Sequence, residues 1–351
     1  MPHHEIYMRR CIGLARLGAG KVSPNPMVGS VIVHNDRVIG EGYHQRYGGP
    51  HAEVNAVNTV LERYPNAADL LSNATIYVSL EPCAHFGKTP PCADLLIRHG
   101  IPRVVVGCRD PFDQVDGKGI EKLTAAGVKV TVGVLQEACE DLNKRFFTRV
   151  RKQRPYIILK WAQTADSFFA PADGSQRWIT SAAAKRLTHR WRSEEDAILV
   201  GKNTALADDP QLNVRHWQGR NPTRIVIDRR LDLPETLRLF DQSQDTIVLN
   251  GLKTDKQGKI SWLQLEDFDH YLPQLTAFQL YLLDVQSVIV EGGVKTLELF
   301  INAGLWDEAR IFTGPQSWGE GTRAPSVRGT SIYSADYGPD HLQVIRNRTN
   351  L

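Results

Sequence analysis

At 351 residues, with 42% hydrophobic and 23% charged side chains, the chain is long enough for two packed cores and has the balance of a soluble globular protein. A net charge of +3 offers no strongly basic surface for nucleic acid, no apolar run approaches bilayer-spanning length, and Met1-Pro2-His3-His4-Glu5 lacks the basic and apolar segments of a secretion signal. A cytoplasmic protein is expected, and the five cysteines agree: Cys83 and Cys92 suit a metal, while Cys11, Cys108 and Cys139 lie in apolar or helical surroundings where thiols stay reduced.

In chain order, residues 28–33 and 37–42 read as a β-hairpin about His34-Asn35-Asp36. Helical spacing follows at 52–61, a strand at 75–79, a helix at 92–98, a strand at 103–107 and one long helix at 135–150. This order predicts a mixed sheet with helices on both faces. The basic stretch Arg149-Val150-Arg151-Lys152-Gln153-Arg154-Pro155 marks a boundary, giving domains at 1–148 and 155–351. The second domain is again α/β, with strands at 156–161, 197–200, 224–228, 246–250, 287–291 and 308–312 and helices at 181–192 and 294–303. There is no internal repeat or low-complexity tract.

Chemistry concentrates in His51-Ala52-Glu53, Pro82-Cys83 and Cys92. One imidazole and two thiolates make a three-ligand zinc site with the fourth position open, as hydrolysis requires. Glu53, two residues after His51 at a predicted helix start, sits beside the metal as proton carrier, and zinc brings the pKa of a bound water to about 7. The order matches the H-x-E…P-C-x-x-C pattern of zinc deaminases, except that eight residues separate Cys83 from Cys92. Both halves of the site are expected at helix N-termini, where the dipole favours thiolates. H-x-E alone is weak, and buried thiols are the commoner fate of paired cysteines. A closed structural site would need a fourth ligand, for which His85 is the nearby candidate.

In the second domain Glu291-Gly292-Gly293 passes from strand to helix, where glycines let backbone N–H groups approach a phosphate, although a tight turn is the commoner meaning. It is not a G-x-G-x-x-G fingerprint. Asp208-Asp209-Pro210 with Arg215 reads, by itself, as a solvated turn.

Over about residues 5 to 315 the chain resembles the bifunctional riboflavin-biosynthesis deaminase-reductases. In the first half the matching segments are Pro24-Asn25-Pro26-Met27-Val28-Gly29, His51-Ala52-Glu53 and the run from Glu81 to Cys92, whose long inter-cysteine gap is a family feature. In the second half they are Trp178-Ile179-Thr180-Ser181, Asp196 to Gly201, Ala207 to Leu212, Arg224 to Asp228 and Val290-Glu291-Gly292-Gly293. The resemblance implies a cytidine-deaminase-like α/β/α domain followed by a dihydrofolate-reductase-like α/β domain. The first would hydrolyse the 2-amino group of 2,5-diamino-6-(5-phosphoribosylamino)pyrimidin-4-one with one Zn2+, and the second would use NADPH to reduce ribosyl to ribityl.

Carried over by position, the resemblance makes His51, Cys83 and Cys92 the zinc ligands and Glu53 the proton carrier, with Asn25, His44, Lys88 and Asp110 holding the deaminase substrate. Lys88 suits a phosphorylated substrate. The reductase substrate would meet Gln176, Arg192, Leu212, Arg215 and Glu291, with Lys160 a further candidate; two arginines suit a phosphate. NADPH would meet Ala162, Trp178, Thr204, Asp208 and the run Gly293, Val294, Lys295, Thr296, Leu297, Glu298 and Leu299. Two departures fall in this half. Ala165-Asp166-Ser167 replaces the family's Leu-Asp-Gly, tolerable if Ser167 has a negative φ, and Gln176 replaces a serine. The partners expected are small phosphoribosyl pyrimidines, with no nucleic acid or membrane, and a homo-oligomer (dimer or tetramer). The rival reading is a tRNA-adenosine or cytosine deaminase carrying a non-catalytic nucleotide-binding or oligomerisation domain, which would call for a basic surface.

Overall fold

The computed structural model describes residues 2–84, 90–112 and 115–348. The chain divides into two compact units, Met1–Lys152 and Gln153–Leu351.

In the first unit, α1 (Pro2–Ala15) precedes β1 (Gly29–His34) and β2 (Arg37–Tyr43), followed by α2 (Ala52–Arg63), α3 (Ala67–Leu71), β3 (Thr75–Leu80), α4 (Cys92–Arg98), β4 (Arg103–Cys108), α5 (Lys118–Ala125), β5 (Lys129–Val132), α6 (Gln136–Leu142) and α7 (Lys144–Lys152). The predicted hairpin forms, its two-residue turn made by Asn35 and Asp36 at φ 47° and 60°, the left-handed angles that match strand twist. The sheet order is β2-β1-β3-β4-β5, antiparallel through β3 and parallel beyond it. Alternate residues of one strand serve two cores. Ile76, Val78, Val104 and Val106 pack with α2, α4 and α5, while Tyr77 and Val105 pack with α1 and α6. Strands covered on both faces are therefore apolar without polar alternation.

The helix expected over 135–150 is two. Asn143, at φ −105°, breaks it and turns its amide onto the Met27 backbone, accepting from the Met27 N–H and donating to the Met27 carbonyl, both at 2.8 Å. The two bonds hold the break in place, while the Phe147 N–H still reaches the Asn143 carbonyl at 2.9 Å.

Gly42 on β2 lets α2 approach. A Cβ there would lie 2.4 Å from both the Ala52 carbonyl oxygen and the Ala56 nitrogen. Gly42→Ala is expected to push α2 off the sheet, cost about 1–3 kcal/mol by overpacking and reduce bound zinc, because His51 and Glu53 ride on that helix start; metal analysis after gel filtration checks this.

The second unit runs β6 (Tyr156–Gln163), β7 (Phe168–Pro171), α8 (Ala182–Glu194), β8 (Ala197–Gly201), α9 (Lys202–Asp208), β9 (Thr223–Ile227), β10 (Thr246–Asn250), β11 (Asp255–Gln257), β12 (Ile260–Gln264), α10 (Phe268–Leu282), β13 (Ser287–Val290), α11 (Val294–Asn302), β14 (Glu308–Thr313), β15 (Gly321–Arg323), β16 (Gly329–Tyr337) and β17 (Asp340–Asn347). Ten strands form one sheet in the order β11-β12-β10-β9-β8-β13-β6-β14-β17-β16, parallel from β12 to β14, and β7 pairs with β15 separately. The six predicted strands are its parallel interior; the outer strands escape the sequence reading because β11 is polar and wholly exposed and β16 nearly so.

Ser167 has φ +66°, so the condition under which serine would be tolerated there without cost is not met. The turn is held by Asp166, whose carboxylate accepts the Trp318 and Gly319 N–H groups, and by the Ser167 N–H to the Thr164 carbonyl. A left-handed serine carries a steric cost that glycine lacks, so Ser167→Gly is expected to stabilise the second unit by up to about 1 kcal/mol after glycine's unfolded-state entropy is deducted. Chemical denaturation midpoints measure it.

Candidate active sites

In the first unit the functional groups gather where β3 and β4 end. His51 is the N-cap residue of α2, and its ring, unused for capping, turns toward the sulfur atoms. Its Nδ1 lies 3.6 Å from Cys83 Sγ and 3.3 Å from Cys92 Sγ, and the three ligand atoms fall within 4.8 Å of one another. A tetrahedral zinc with bonds of about 2.3 Å to sulfur and 2.0 Å to nitrogen has N···S edges of about 3.5 Å. The donor set fits that ion. Cys92 opens α4, but Cys83 follows a strand, so only one thiol belongs to a helix start; the Cys92 N–H donates to Cys83 Sγ at 3.3 Å and thereby brings the helix's positive end to both sulfurs.

A hydrogen bond couples the two thiols. The hydrogen bond from Cys92 holds Cys83 down at about 4, and the same bond with burial holds Cys92 up. A coordinated metal removes the proton of that bond. Glu53 is buried, which pushes its carboxyl up to about 7 against the pull of His51. That value suits a group that both takes and returns protons at neutral pH.

A cavity of about 360 Å3 opens onto these groups, and Asn25, His44, His51, Glu53, Cys83 and Asp110 all line it. His44 Nδ1 is 3.0 Å from the Pro50 carbonyl and its Nε2 3.2 Å from Asn25 Nδ2, a pattern satisfied by a neutral ring with the proton on Nδ1. Burial lowers the His44 pKa accordingly. Asp110 is pushed up to about 7, chiefly by burial. Lys88 and His85 lie outside the described residues. Phe112, Phe146 and Arg149 also line the cavity with no motif to announce them, and so does Glu81. Glu81 opens the Glu81-to-Cys92 segment singled out in the sequence, which gave it no role of its own.

In the second unit Glu291 follows β13 and meets Arg192 of α8 in a two-point pair, Nη2 to Oε2 at 2.6 Å and Nε to Oε1 at 3.3 Å. Lys160 is half-buried on β6 beside them, its pKa lowered by desolvation. Burial would raise Glu291, but Arg192 and Lys160 reverse this and bring it to about 2. Arg192 also donates to the Asn213 carbonyl, and His189, one turn earlier, accepts the Arg215 N–H at 3.1 Å. The loop bearing Leu212 and Arg215 is thus tied to α8 at two points. Leu212 itself is buried at φ +49°. The Arg215 guanidinium bonds the neutral Gln211 and Asn213 side chains, which leave its charge uncompensated for an anion.

Gln176 donates to Asp208 at 3.2 Å, linking a candidate substrate residue to a candidate cofactor residue. Trp178 is 69% exposed, with the Lys185 ammonium 4.5 Å above its ring. Gly293 caps α11 at φ +63°, and a Cβ there would reach 3.1 Å from Thr204 Oγ1. Gly201 similarly abuts Thr296. The cradle suits a phosphate at a helix N-terminus, with first-turn N–H groups through Thr296 left over by the helix. Leu297 is enclosed in the core and its N–H goes to the Gly293 carbonyl. Lys295, Glu298 and Leu299 present exposed side chains. Ala162, half-buried on β6, lies two residues from Lys160 and so on the same face of that strand.

An open three-ligand zinc cradle with a buried carboxylate, at the edge of a mixed α/β sheet, defines a deaminase of the cytidine type, and residues 1–108 match the cytidine and deoxycytidylate deaminase zinc-binding region. Residues 155–349 match the RibD C-terminal domain. The riboflavin biosynthesis protein RibD of Aquifex aeolicus is 41% identical over 324 residues, covering 90% of this chain and 88% of its own, and that of Escherichia coli 37% over 336 residues, covering 91% and 89%. The Thermotoga maritima diaminohydroxyphosphoribosylaminopyrimidine deaminase/5-amino-6-(5-phosphoribosylamino)uracil reductase superposes with a TM-score of 0.89 at 35% identity, covering 99% of each chain. Acinetobacter baumannii RibD gives 0.88 at 31%, covering 98% and 99%. The chain belongs to the RibD family of bifunctional deaminase-reductases of riboflavin biosynthesis, which work with zinc and NADPH. The tRNA-adenosine and cytosine alternative is not favoured.

Proposed function

We propose that the first unit converts 2,5-diamino-6-(5-phosphoribosylamino)pyrimidin-4-one to 5-amino-6-(5-phosphoribosylamino)uracil, and that the second reduces that product's ribosyl group to ribityl. The observation carrying the first half is the convergence of two metal-ligating side chains, Glu53, Asn25, His44 and Asp110 on one cavity. Zinc, when held there, supplies Lewis acidity that makes water nucleophilic near neutral pH. Glu53 takes one proton from the attacking water and gives it to the ring nitrogen, then takes the second from the hydroxyl left on the ring carbon and gives it to the amino group, so that ammonia departs and the carboxylate is regenerated. The amides and rings of Asn25 and His44, with Asp110, orient the pyrimidine.

NADPH, when bound, supplies the hydride. The glycine cradle at Gly293 with Thr204 and Thr296 supports placing its phosphates, and Ala162, Trp178 and Asp208 border the nicotinamide side. Arg215, with Arg192 behind it, receives the substrate phosphate, and Lys160 and Glu291 hold the ribosyl end, with Leu212 and Gln176 closing the site. No helix among the described residues is long and apolar enough to cross a membrane. A cytoplasmic home is supported by the five free cysteines. Homo-oligomerisation through the second unit is supported by the open outer strand β16 with Ile332 and Tyr333 exposed, and light scattering tests it.

Mass spectra of products formed from the diaminopyrimidine substrate with NADPH test the whole reading. Exchange of an amino group for oxygen plus gain of two hydrogens is expected; unchanged substrate would overturn it.

A further inference from the structure

Glu81 is a buried carboxylate two residues before Cys83, and its side chain touches no cation among the described residues. Its two oxygens instead collect four backbone N–H groups. Oε2 accepts from Asp110 at 3.4 Å and Gly117 at 3.1 Å, and Oε1 from Gly119 at 3.0 Å and Ile120 at 3.2 Å. The Glu81 N–H continues the β3–β4 ladder to the Cys108 carbonyl. Gly119 sits so close beneath this segment that a Cβ would come 1.9 Å from the Pro82 carbonyl oxygen. One side chain thus joins the backbone that carries Cys83 to the start of α5 and to Asp110, and it lines the same cavity as Asp110.

We infer that Glu81 is a positioning residue for the deaminase, fixing Asp110 relative to the metal ligands so that the pyrimidine ring is held at the right distance from the metal. The inference rests on the deaminase reading above. A carboxylate has about four acceptor sites, and here all are used. Glutamine keeps the shape but, whichever way its amide lies, sets an NH2 group against two N–H donors, so two of the four bonds are lost. One orientation frees the Asp110 and Gly117 N–H groups and the other frees Gly119 and Ile120, so in either case the frame joining Asp110 to the start of α5 loosens while His51, Cys83 and Cys92 keep their own geometry. The negative charge of Glu81 also adds to the rise of the Asp110 pKa, after burial and against the hydrogen bond from Phe112.

The test compares wild type, Glu81→Gln and the milder Glu81→Asp, each as the full chain. Three quantities are read: zinc per chain, deaminase KM and kcat with the diaminopyrimidine substrate, and amide hydrogen exchange of Gly117, Gly119 and Ile120 against that of α2. For Glu81→Gln the inference expects one zinc per chain, KM raised at least about tenfold with kcat within about threefold, and faster exchange confined to the three amides. Glu81→Asp is expected to fall between. Loss of zinc in both variants, an unchanged KM, or a fall in kcat alone would each overturn the inference. Absence of turnover by wild type would count instead against the proposed function, and the exchange measurement reads independently of substrate.

Discussion

Glu53→Gln is expected to lower deaminase kcat by about 10^3-fold or more, at the upper end of what general acid–base groups contribute, while zinc content and reduction of the deaminated intermediate stay at wild-type levels. The reason lies in the division of labour within the site. The ligand atoms of His51, Cys83 and Cys92 form a triangle that could hold the metal without Glu53. Glutamine fills the same buried volume but cannot take a proton from water, so nucleophile formation and ammonia release both fail. Separate assays of the two half-reactions, with metal analysis on the same preparation, check this. A fall in zinc that matched the fall in rate would show Glu53 to be a ligand.

The second large effect is expected in the reductase. Glu291→Gln removes the anion that Arg192 and Lys160 share, leaving two cations facing one another in a nearly closed site. Breaking a buried pair in this way costs about 3–5 kcal/mol. Reductase activity is expected to fall by at least about 100-fold because Arg192 no longer holds its place behind Arg215, while deaminase activity is unchanged. The pH dependence has a definite sign. Glu291 has its carboxyl lowered to about 2 in the folded chain from an ordinary value of 4.5. Its stabilisation is therefore fully present above pH 4.5 and disappears as the pH falls from there toward 2. The difference in denaturation midpoint between wild type and Glu291→Gln should be constant near neutrality and shrink below pH 4.5. A difference that grew on acidification would assign the effect to something other than this carboxylate.

Local signals were enough for much of the architecture. The hairpin at Asn35-Asp36, the strands of both sheet interiors and helices α2, α4, α8 and α11 follow from β-branched runs, turn residues and apolar spacing that act over a few neighbours. The failures have causes far along the chain. The helix breaks at Asn143 where its amide pairs with Met27, 116 positions away, and nothing in the periodicity of 135–150 records that pairing. β17 alternates buried and exposed residues, yet without its neighbours β14 and β16 it is a short polar-rich segment. Ser167 takes a left-handed angle because Asp166 is held by the backbone of Trp318 and Gly319, again a distant constraint.

By itself the sequence determined the kind of chemistry, since His51-Ala52-Glu53 and the Pro82-Cys83 to Cys92 segment name a metal, its open coordination and a proton carrier through residue type and spacing. Only the tertiary structure decided which other residues share the cavity and what each one is tied to. Glu81 meets residues 29 to 39 positions away because neighbouring parallel strands deliver their ends to the same edge of the first sheet, and in the second unit the end of β13 brings Glu291 to Arg192 of α8, 99 positions away. Burial at that edge then sets the charges: it raises Glu53 and Asp110 to about 7, while ion pairing brings Glu291 to about 2. A carboxylate's desolvation and partners belong to its surroundings in space, and a linear sequence does not contain them.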